Sequence, residues 1–206
     1  DIKAKGVYEI AQERYDAKLT ADSINISRVI PSVSIGRISL TMDADGRGTD
    51  IFSDSTSYRI ALKVDTIRYG DIAAGNISIN ASQANLISKI IAEGNDPNLT
   101  FLIDADTKLH DNSIDNSTDV KVTKADFGKM NIVSDNFAAE LHMNMEISTD
   151  LGERHAMKLF GENIRILTDI RTFTPKDINV AFYTAPDSTS LKGNNGDLNV
   201  SGTMDC

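Results

Sequence analysis

FAAELHMNMEI, the stretch at residues 137–147, decides the fold, because every second residue from Phe137 to Ile147 is apolar and most of the residues between them are polar. A β-strand places successive side chains on opposite faces, so this pattern predicts a strand with one dry and one wet face. An α-helix would instead repeat its apolar residues every three or four positions. The stretch therefore predicts a long, half-buried β-strand.

The same alternation recurs along most of the chain, from Tyr15 to Val200, and the intervening residues are mostly charged or hydroxylated. Apolar side chains that share a face of successive strands would form a continuous apolar wall. The candidate lining residues of this wall are Ile38, Leu40, Met42, Tyr58, Ile60, Leu62, Val64, Ile77, Ile79, Phe101, Ile103, Phe137, Leu141, Met143 and Met145.

Several of these rows end alike, as at Ala44-Asp45 and Val64-Asp65, and such ends recur about every twenty residues. This period predicts stacked hairpins, each of two strands of about ten residues. We therefore expect an all-β fold of long antiparallel strands, with residues 1–206 forming one all-β segment of a longer repeat protein. A β-sandwich, in which the same rows face each other across a closed core, is the alternative.

A few stretches depart from the strand pattern. Residues 82–93 favour one or two helical turns, because Leu86, Ile87, Ile90 and Ile91 follow a helical spacing and Gly94 could end the helix. Residues 43–50 and 109–118 are predicted to be turn segments, because they are rich in polar residues and the first is also rich in Gly. A mobile tail is expected over residues 184–206.

Charge and composition exclude several classes of function. The net charge is −9 and the pI about 4.8, so the chain would repel nucleic acid at long range and no nucleic-acid partner is expected. The single Cys206 excludes a disulfide framework. No stretch approaches the roughly 20 apolar residues of a membrane span. Because the chain starts at Asp1, we expect it to be a piece of a longer protein.

No catalytic or metal-binding pattern stands out. Asp43, Asp45 and Asp50 are spaced like the ligands of a calcium loop, but Arg47 stands where a carboxylate is needed. The three histidines, His110, His142 and His155, follow no metal spacing and belong to no nucleophile triad. We therefore expect no enzyme activity, no catalytic residues, no metal and no cofactor.

Two long phrases carry a family resemblance: GRGTDIFSDST at residues 46–56 and YRIALKVDTIRYG at residues 58–70. Shorter phrases at residues 6–8, 15–23, 185–189 and 196–200 add to it. Together they resemble the repeats of TamB-type translocation and assembly module proteins of the Bacteroidetes, which belong to the AsmA-like superfamily. The resemblance is one of composition and phrase over most of the chain, and no invariant motif carries it.

The resemblance implies a curved, taco-like β-groove with an apolar interior, in which the candidate wall residues would bind phospholipid acyl chains. It also implies a periplasmic location in the cell envelope, a full-length protein anchored in the inner membrane, and an outer-membrane barrel as partner. The implied function is phospholipid movement between the two membranes, with a role in outer-membrane protein assembly and biogenesis. A fragment of such a groove is expected to self-associate through its edge strands.

A function from a different class stays open beside this one. The sandwich alternative would suit an adhesion or carbohydrate-binding module of a surface protein, with a sealed core and an exposed aromatic platform. The candidates for that platform are Tyr8, Tyr69 and Tyr183.

Overall fold

The structure, a computed structural model, describes residues 1–29, 35–69 and 72–205, without the side chains at positions 29, 35 and 69. Cys206 and the side chain of Tyr69 therefore lie outside the described part. The described helical segments are short: a 3-10 turn at Ile10–Gln12 and the helix α1 at Ile26–Val29.

Most of the remaining described residues are in β-strands. The strands are β1 (Ile2–Glu9), β2 (Arg14–Asn25), β3 (Ile35–Arg47), β4 (Ser57–Tyr69), β5 (Ile72–Ala84), β6 (Ile87–Asp96), β7 (Leu99–His110), β8 (Ser113–Asp126), β9 (Phe137–Thr149), β10 (His155–Thr168), β11 (Thr172–Phe173), β12 (Ile178–Ala185), β13 (Ser188–Asn194) and β14 (Asn199–Asp205). The all-β prediction is confirmed.

All of these strands belong to one sheet of 14 strands, ordered along the chain from β1 to β14, with β11 pairing only with β10. Each pairing is antiparallel, and the two edges, β1 and β14, do not meet. The described strands thus form a single open sheet, not the two packed sheets of the alternative. Most pairings join strands that are consecutive in the chain, as in a series of hairpins; the exception is β12, which pairs with β10.

The two faces of the sheet differ in burial. Ala21 and Ala92, on the apolar face, are 9% and 8% exposed, whereas Ala61, on the opposite face of β4, is exposed. Alanine side chains are equal in size, so the difference reflects the surroundings of each face and not the length of the side chain. A sheet that curves towards its apolar face shelters that face in this way. The curved, open groove with an apolar interior agrees with the prediction.

The predicted helical turns at residues 82–93 are wrong. β5 continues to Ala84, a two-residue turn follows, and β6 begins at Ile87. Asn85 and Leu86 have φ values of 51° and 62°, and positive φ at both central residues is what a type I′ hairpin turn requires. The adjacent pair Ile90-Ile91 imitates a helical spacing, but the two side chains lie on opposite faces of the sheet.

Strands also extend into segments that were predicted to be turns. β3 runs on to Arg47, so only the last part of the predicted turn at residues 43–50 is a loop. Residues 109–118 contain the end of β7, a two-residue turn and the start of β8. Within residues 184–205, expected to be a mobile tail, lie β13 and β14. Asp43, Asp45, Asp115 and Ser117 occupy the wet face of these strands, and a composition rich in Asn, Asp and Ser disguises such strands as loops.

Irregularities in the ladders cluster at one level of the sheet. Register shifts follow Ala21 in β2, precede Leu40 in β3, precede Phe101 in β7 and follow Val122 in β8. Another follows Glu162 in β10. A β-bulge bends its strand and increases the local twist. We call this level the bulge line; its register shifts lie in the ladders of β2 with β3, β3 with β4, β7 with β8, β8 with β9 and β9 with β10.

A substitution at Gly75 tests how tightly the backbone packs beside the bulge line. Gly75 is buried, its N–H donates to Asp96 Oδ2 at 3.0 Å, and an added Cβ would clash with the backbone carbonyl oxygen of Asp65. We expect Gly75→Ala to lower the free energy of unfolding by about 1–3 kcal/mol, because a backbone atom cannot move aside without disturbing the ladder. The shift in the midpoint of urea denaturation measures it.

Gly202 provides the matched control, because a Cβ there would meet nothing within 4 Å. Gly202→Ala should leave the midpoint unchanged or raise it slightly, since Ala restricts the unfolded chain more than Gly does. Equal losses in the two variants would contradict the close approach at Gly75.

Candidate functional site

The apolar face is built from rows of residues that stand opposite each other in successive ladders. The central row crosses eleven strands, and each of its members is apolar or glycine. It consists of Ala4, Leu19, Met42, Leu62, Ile79, Ala92, Ile103, Val120, Met143, Gly161 and Ile178.

Two further apolar rows flank the central row, each two residues away along the strands. The upper row, next to the bulge line, consists of Ile2, Ala21, Leu40, Val64, Ile77, Gly94, Phe101, Val122 and Leu141. The lower row includes Ala17, Ala44, Ile60, Ala81, Ile90, Ala105, Thr118, Met145, Leu159, Val180 and Val200. Within the upper row, an added Cβ on Gly94 would clash with the ring of Phe101, so the ring occupies the space that the glycine leaves.

A fourth row on the same face changes character along the sheet. Between β2 and β8 it is largely polar, and its members include Tyr15, Tyr58, Gln83, Ser88, Thr107 and Asn116. From β9 to β13 it is apolar, with Ile147, Met157, Phe182 and Leu191. The apolar wall is thus bordered by hydroxyl and amide groups in its first half and widens in its second.

Hydrogen bonds order the polar part of this fourth row. Gln83 is 3% exposed; its Nε2 donates to the Ile51 carbonyl oxygen at 2.7 Å, and Ser88 Oγ donates to its Oε1 at 3.0 Å. Asn116 Nδ2 donates to Thr107 Oγ1 at 2.9 Å. Because their partners lie within the protein, these side chains form a fixed border of the wall.

Most of the predicted wall residues lie in the three apolar rows. Tyr58 lies in the fourth row, on the same face. Ile38 stands beyond the bulge line, opposite Ile24 and Ile67, and Phe137 stands opposite Thr168 with its ring 5.7 Å from that of Phe127. Those in the three rows are Leu40, Met42, Ile60, Leu62, Val64, Ile77, Ile79, Phe101, Ile103, Leu141, Met143 and Met145.

Sequence reasoning missed the contributions of β6 and β8. Ile90 and Ala92 were hidden by the helix prediction, although the alternation on this face continues through them. Val120 and Val122 form a short alternating pair within a polar stretch. The alternation Val-Lys-Val at residues 120–122 was a signal that could have revealed β8 as part of the wall.

The apolar wall is an open surface. Its members are mainly half-buried, and among the described members only small or β-branched residues such as Ala21, Val64 and Ala92 are enclosed. Ile90 is 41% exposed although it stands in the middle of the sheet. A contiguous exposed apolar surface of this kind marks a binding site more often than a structural core.

The opposite face carries paired charges. Lys18 and Asp43 approach to 2.7 Å, and Lys89 and Asp104 approach to 3.0 Å. These pairs are solvent-exposed, so each contributes little to the free energy of folding. With these pairs, the same strands present a charged face on one side of the sheet and an apolar face on the other.

His142 lies between two carboxylates on the polar face. Its Nε2 lies 2.6 Å from Asp119 Oδ2 and its Nδ1 lies 2.8 Å from Glu162 Oε1. The hydrogen bond to Asp119, followed by that to Glu162 and the charges of both carboxylates, raises the pKa of His142 above its ordinary value. Lys121 stands opposite His142 on β8 and is the cation nearest to it in the ladder.

Within residues 1–29, 35–69 and 72–205, no three His, Cys, Asp or Glu side chains come close enough together to hold a metal ion. None of the described helical segments has the length and apolar character that a transmembrane helix needs.

Comparisons of the chain with protein-family models, with curated proteins and with solved structures give no match.

The raised pKa of His142 predicts a pH-dependent stability. A group whose pKa is higher in the folded state stabilises fully below its unfolded pKa, here about 6.5. That contribution is lost as the pH rises through the folded value. We expect it to be below about 1 kcal/mol, because the side chains are partly exposed. Urea midpoints measured from about pH 6 to pH 9 follow the loss.

His142→Asn is the comparison variant, because it keeps a polar side chain but cannot carry a positive charge. Its urea midpoint should fall less than that of the parent chain over the same pH range. Parallel pH profiles would show that the Asp119 and Glu162 contacts do not stabilise a charged imidazole.

Proposed function

We propose that this chain is a non-enzymatic segment of a lipid conduit, in which the three apolar rows form a track for phospholipid acyl chains. The proposal includes a place in the periplasm of the cell envelope, in a longer protein anchored in the inner membrane, and passage of phospholipids between the inner and outer membranes. An outer-membrane barrel is the proposed partner of the full-length protein, with a role in outer-membrane protein assembly.

The observation that carries the proposal is the unbroken apolar character of the wall. The upper, central and lower rows run together from β1 to β9, and Thr118 is the single hydroxyl-bearing member there. With strands about 4.8 Å apart and a rise of about 3.3 Å per residue, this shared area is about 38 Å long and about 13 Å wide. Its width is close to the hydrocarbon depth of one bilayer leaflet, about 15 Å.

The energetics of lipid transfer favour such a surface. Each CH₂ group of an acyl chain exposed to water costs about 0.8 kcal/mol, so a lipid leaving a membrane needs a continuous apolar contact. A track also has to release the lipid, and an open wall without a fitted pocket binds without a preferred position. Met42, Met143 and Met145 add flexible, polarisable contacts that adapt to a moving chain.

Position-specific photocrosslinking tests the track. β7 offers a matched pair, because Ile103 lies in the central row while its neighbour Leu102, also apolar, lies on the polar face and is 39% exposed. Leu62 and Lys63 give a second pair on β4. A benzophenone residue at position 103 or 62, in cells that produce the protein, should yield phospholipid adducts detectable by mass spectrometry.

The control positions 102 and 63 should yield few or none, because their side chains point to the polar face. Equal adducts at positions 102 and 103 would indicate a general affinity of the protein for membranes. If neither 103 nor 62 captures lipid, the apolar rows do not conduct it.

The two edge strands, β1 and β14, could pair with further strands and so lengthen the apolar wall. The apolar face continues to both edges, with Ile2 and Tyr8 on β1 and Val200 and Met204 on β14. Twelve antiparallel pairings lead from β1 to β14, and because the number is even, β1 and β14 point the same way. A strand that continues the antiparallel order beyond β14 must therefore run opposite to β1. We propose that such pairing extends the groove.

This edge pairing predicts self-association of the isolated chain. In reducing buffer, sedimentation should reveal dimers or larger species whose fraction rises with concentration. Val200→Lys with Met204→Lys should reduce it, because lysines would interrupt the apolar face at the junction. Ser201→Lys with Thr203→Lys, on the polar face of the same strand, should reduce it less. A monomer at all concentrations would contradict the edge pairing.

A further inference from the structure

The polar face of β9, β10, β12, β13 and β14 carries a depression of about 530 Å³. One register row of the polar face, with Glu146, Lys158 and Lys192, lines one side of it, and a second register row, perpendicular to the strands, crosses all five of them. This second row consists of Asn144, Phe160, Asn179, Asn194 and Asn199. We call this set the amide row.

The amide row differs from the rest of its level on the polar face. On earlier strands the same level holds charged residues on β2, β3 and β7, namely Lys18, Asp43 and Asp104, and the uncharged Ala61, Asn80 and Ile91 on β4 to β6. From β9 onward it holds no charge, although charges resume one level away. Four amides and one aromatic ring on five strands that pair in succession set this part of the level apart.

The amides offer hydrogen-bonding groups that the protein does not use fully. Asn144 and Asn179 are exposed, and neither side-chain amide forms a hydrogen bond with another described residue. Asn194 Nδ2 donates to Asn199 Oδ1, and Asn194 Oδ1 accepts from the Gly196 N–H, so of this pair the NH₂ group of Asn199 stays available. Each asparagine presents a carbonyl oxygen and an NH₂ group side by side, so it can accept from one hydroxyl and donate to another.

Phe160 gives the depression an apolar platform. It is half-buried between Asn144 and Asn179 and is the one aromatic member of the row. The neighbouring level holds the small Ala181, which leaves room above the sheet, and the pair formed by Lys158 Nζ and Glu146 Oε2 at 3.3 Å. A mainly apolar floor with a few convergent polar groups is typical of a small-ligand site.

We infer that this depression is a binding site for a neutral oligosaccharide. The C–H face of a sugar ring can stack on Phe160 while its hydroxyls meet the amides on either side. The row crosses five strands, about 19 Å at the usual strand spacing, so it suits a short oligosaccharide better than a single sugar. The net charge of −9 repels acidic polymers and favours a neutral ligand.

The backbone argues against an extended peptide as the ligand. Peptides that bind β-sheets usually pair with a free edge through backbone hydrogen bonds. The amide row lies on the face of the sheet, where the N–H and C=O groups are engaged in the ladders between β9 and β14. Recognition there depends on side chains alone.

Side-chain amide resonances provide a direct test with the whole chain. We would titrate ¹⁵N-labelled protein with linear trisaccharides of N-acetylglucosamine, glucose, mannose and galactose. At least one should shift the Asn144 and Asn179 resonances in a saturable way. Asn144→Ala with Asn179→Ala should weaken binding about ten-fold or more, since several hydrogen bonds are lost. Phe160→Leu, which keeps an apolar side chain, should also weaken binding by removing the ring.

Asn80→Ala is the matched control, because Asn80 is exposed on the same face and at the same level of β5, outside the depression. It should leave the affinity unchanged. The inference is overturned if none of the four trisaccharides shifts these resonances, or if the double variant binds as well as the parent. It is also overturned if an unstructured peptide of similar size shifts the same amides as strongly.

This site does not rest on the lipid track. The side chains of the amide row lie on the opposite face of the sheet, so loss of sugar binding in these variants should leave lipid crosslinking at position 103 intact. Each result can therefore fail without the other.

Discussion

The hydrogen-bond register between neighbouring strands is the constraint on which the rest of this structure depends. Side chains alternate between the faces with a period of two, so a slip of one residue in any hairpin would move an entire strand's apolar set to the wet face. The central row stays apolar across eleven strands because each ladder preserves that register. The two-residue turn at Asn85 and Leu86 helps to fix the register of β5 against β6, because it leaves no extra residue that would allow the strands to slip.

A single-layered sheet stabilises itself differently from a globular core. Few apolar side chains of the described residues are buried; examples are Val64, Leu109 and Met130. Stability must come largely from backbone ladders and from contacts between adjacent strands, which makes the sheet close to one-dimensional, as in repeat proteins. Such an arrangement tolerates an exposed apolar face because no second layer is needed to hold the strands together.

The alternation that builds the apolar wall also builds the polar face, so one set of strands can present two unrelated surfaces. On β9, Met143 and Met145 face the wall, while His142 and Asn144 face the other way. His142 is fixed by two carboxylates, whereas Asn144 keeps its amide free within the depression. The bulge line lies beside the upper row, and a β-bulge there bends its strand while the alternation between the apolar wall and the polar face continues in the three rows.

The sequence by itself determined which side chains share a face, because period-two alternation is a local property of the chain. Leu62, Ile79 and Ile103 were predicted as wall residues for that reason. Only the tertiary structure decided that one open sheet forms, which ladders join the rows, and that Ile38 and Phe137 lie beyond the bulge line. These features depend on contacts between strands. The hairpin of β5 and β6 depends in addition on the positive φ values of Asn85 and Leu86, which the helix-like spacing of Ile90 and Ile91 conceals in the sequence. The amide row likewise arises only when β9 to β14 align residues that lie far apart in the sequence.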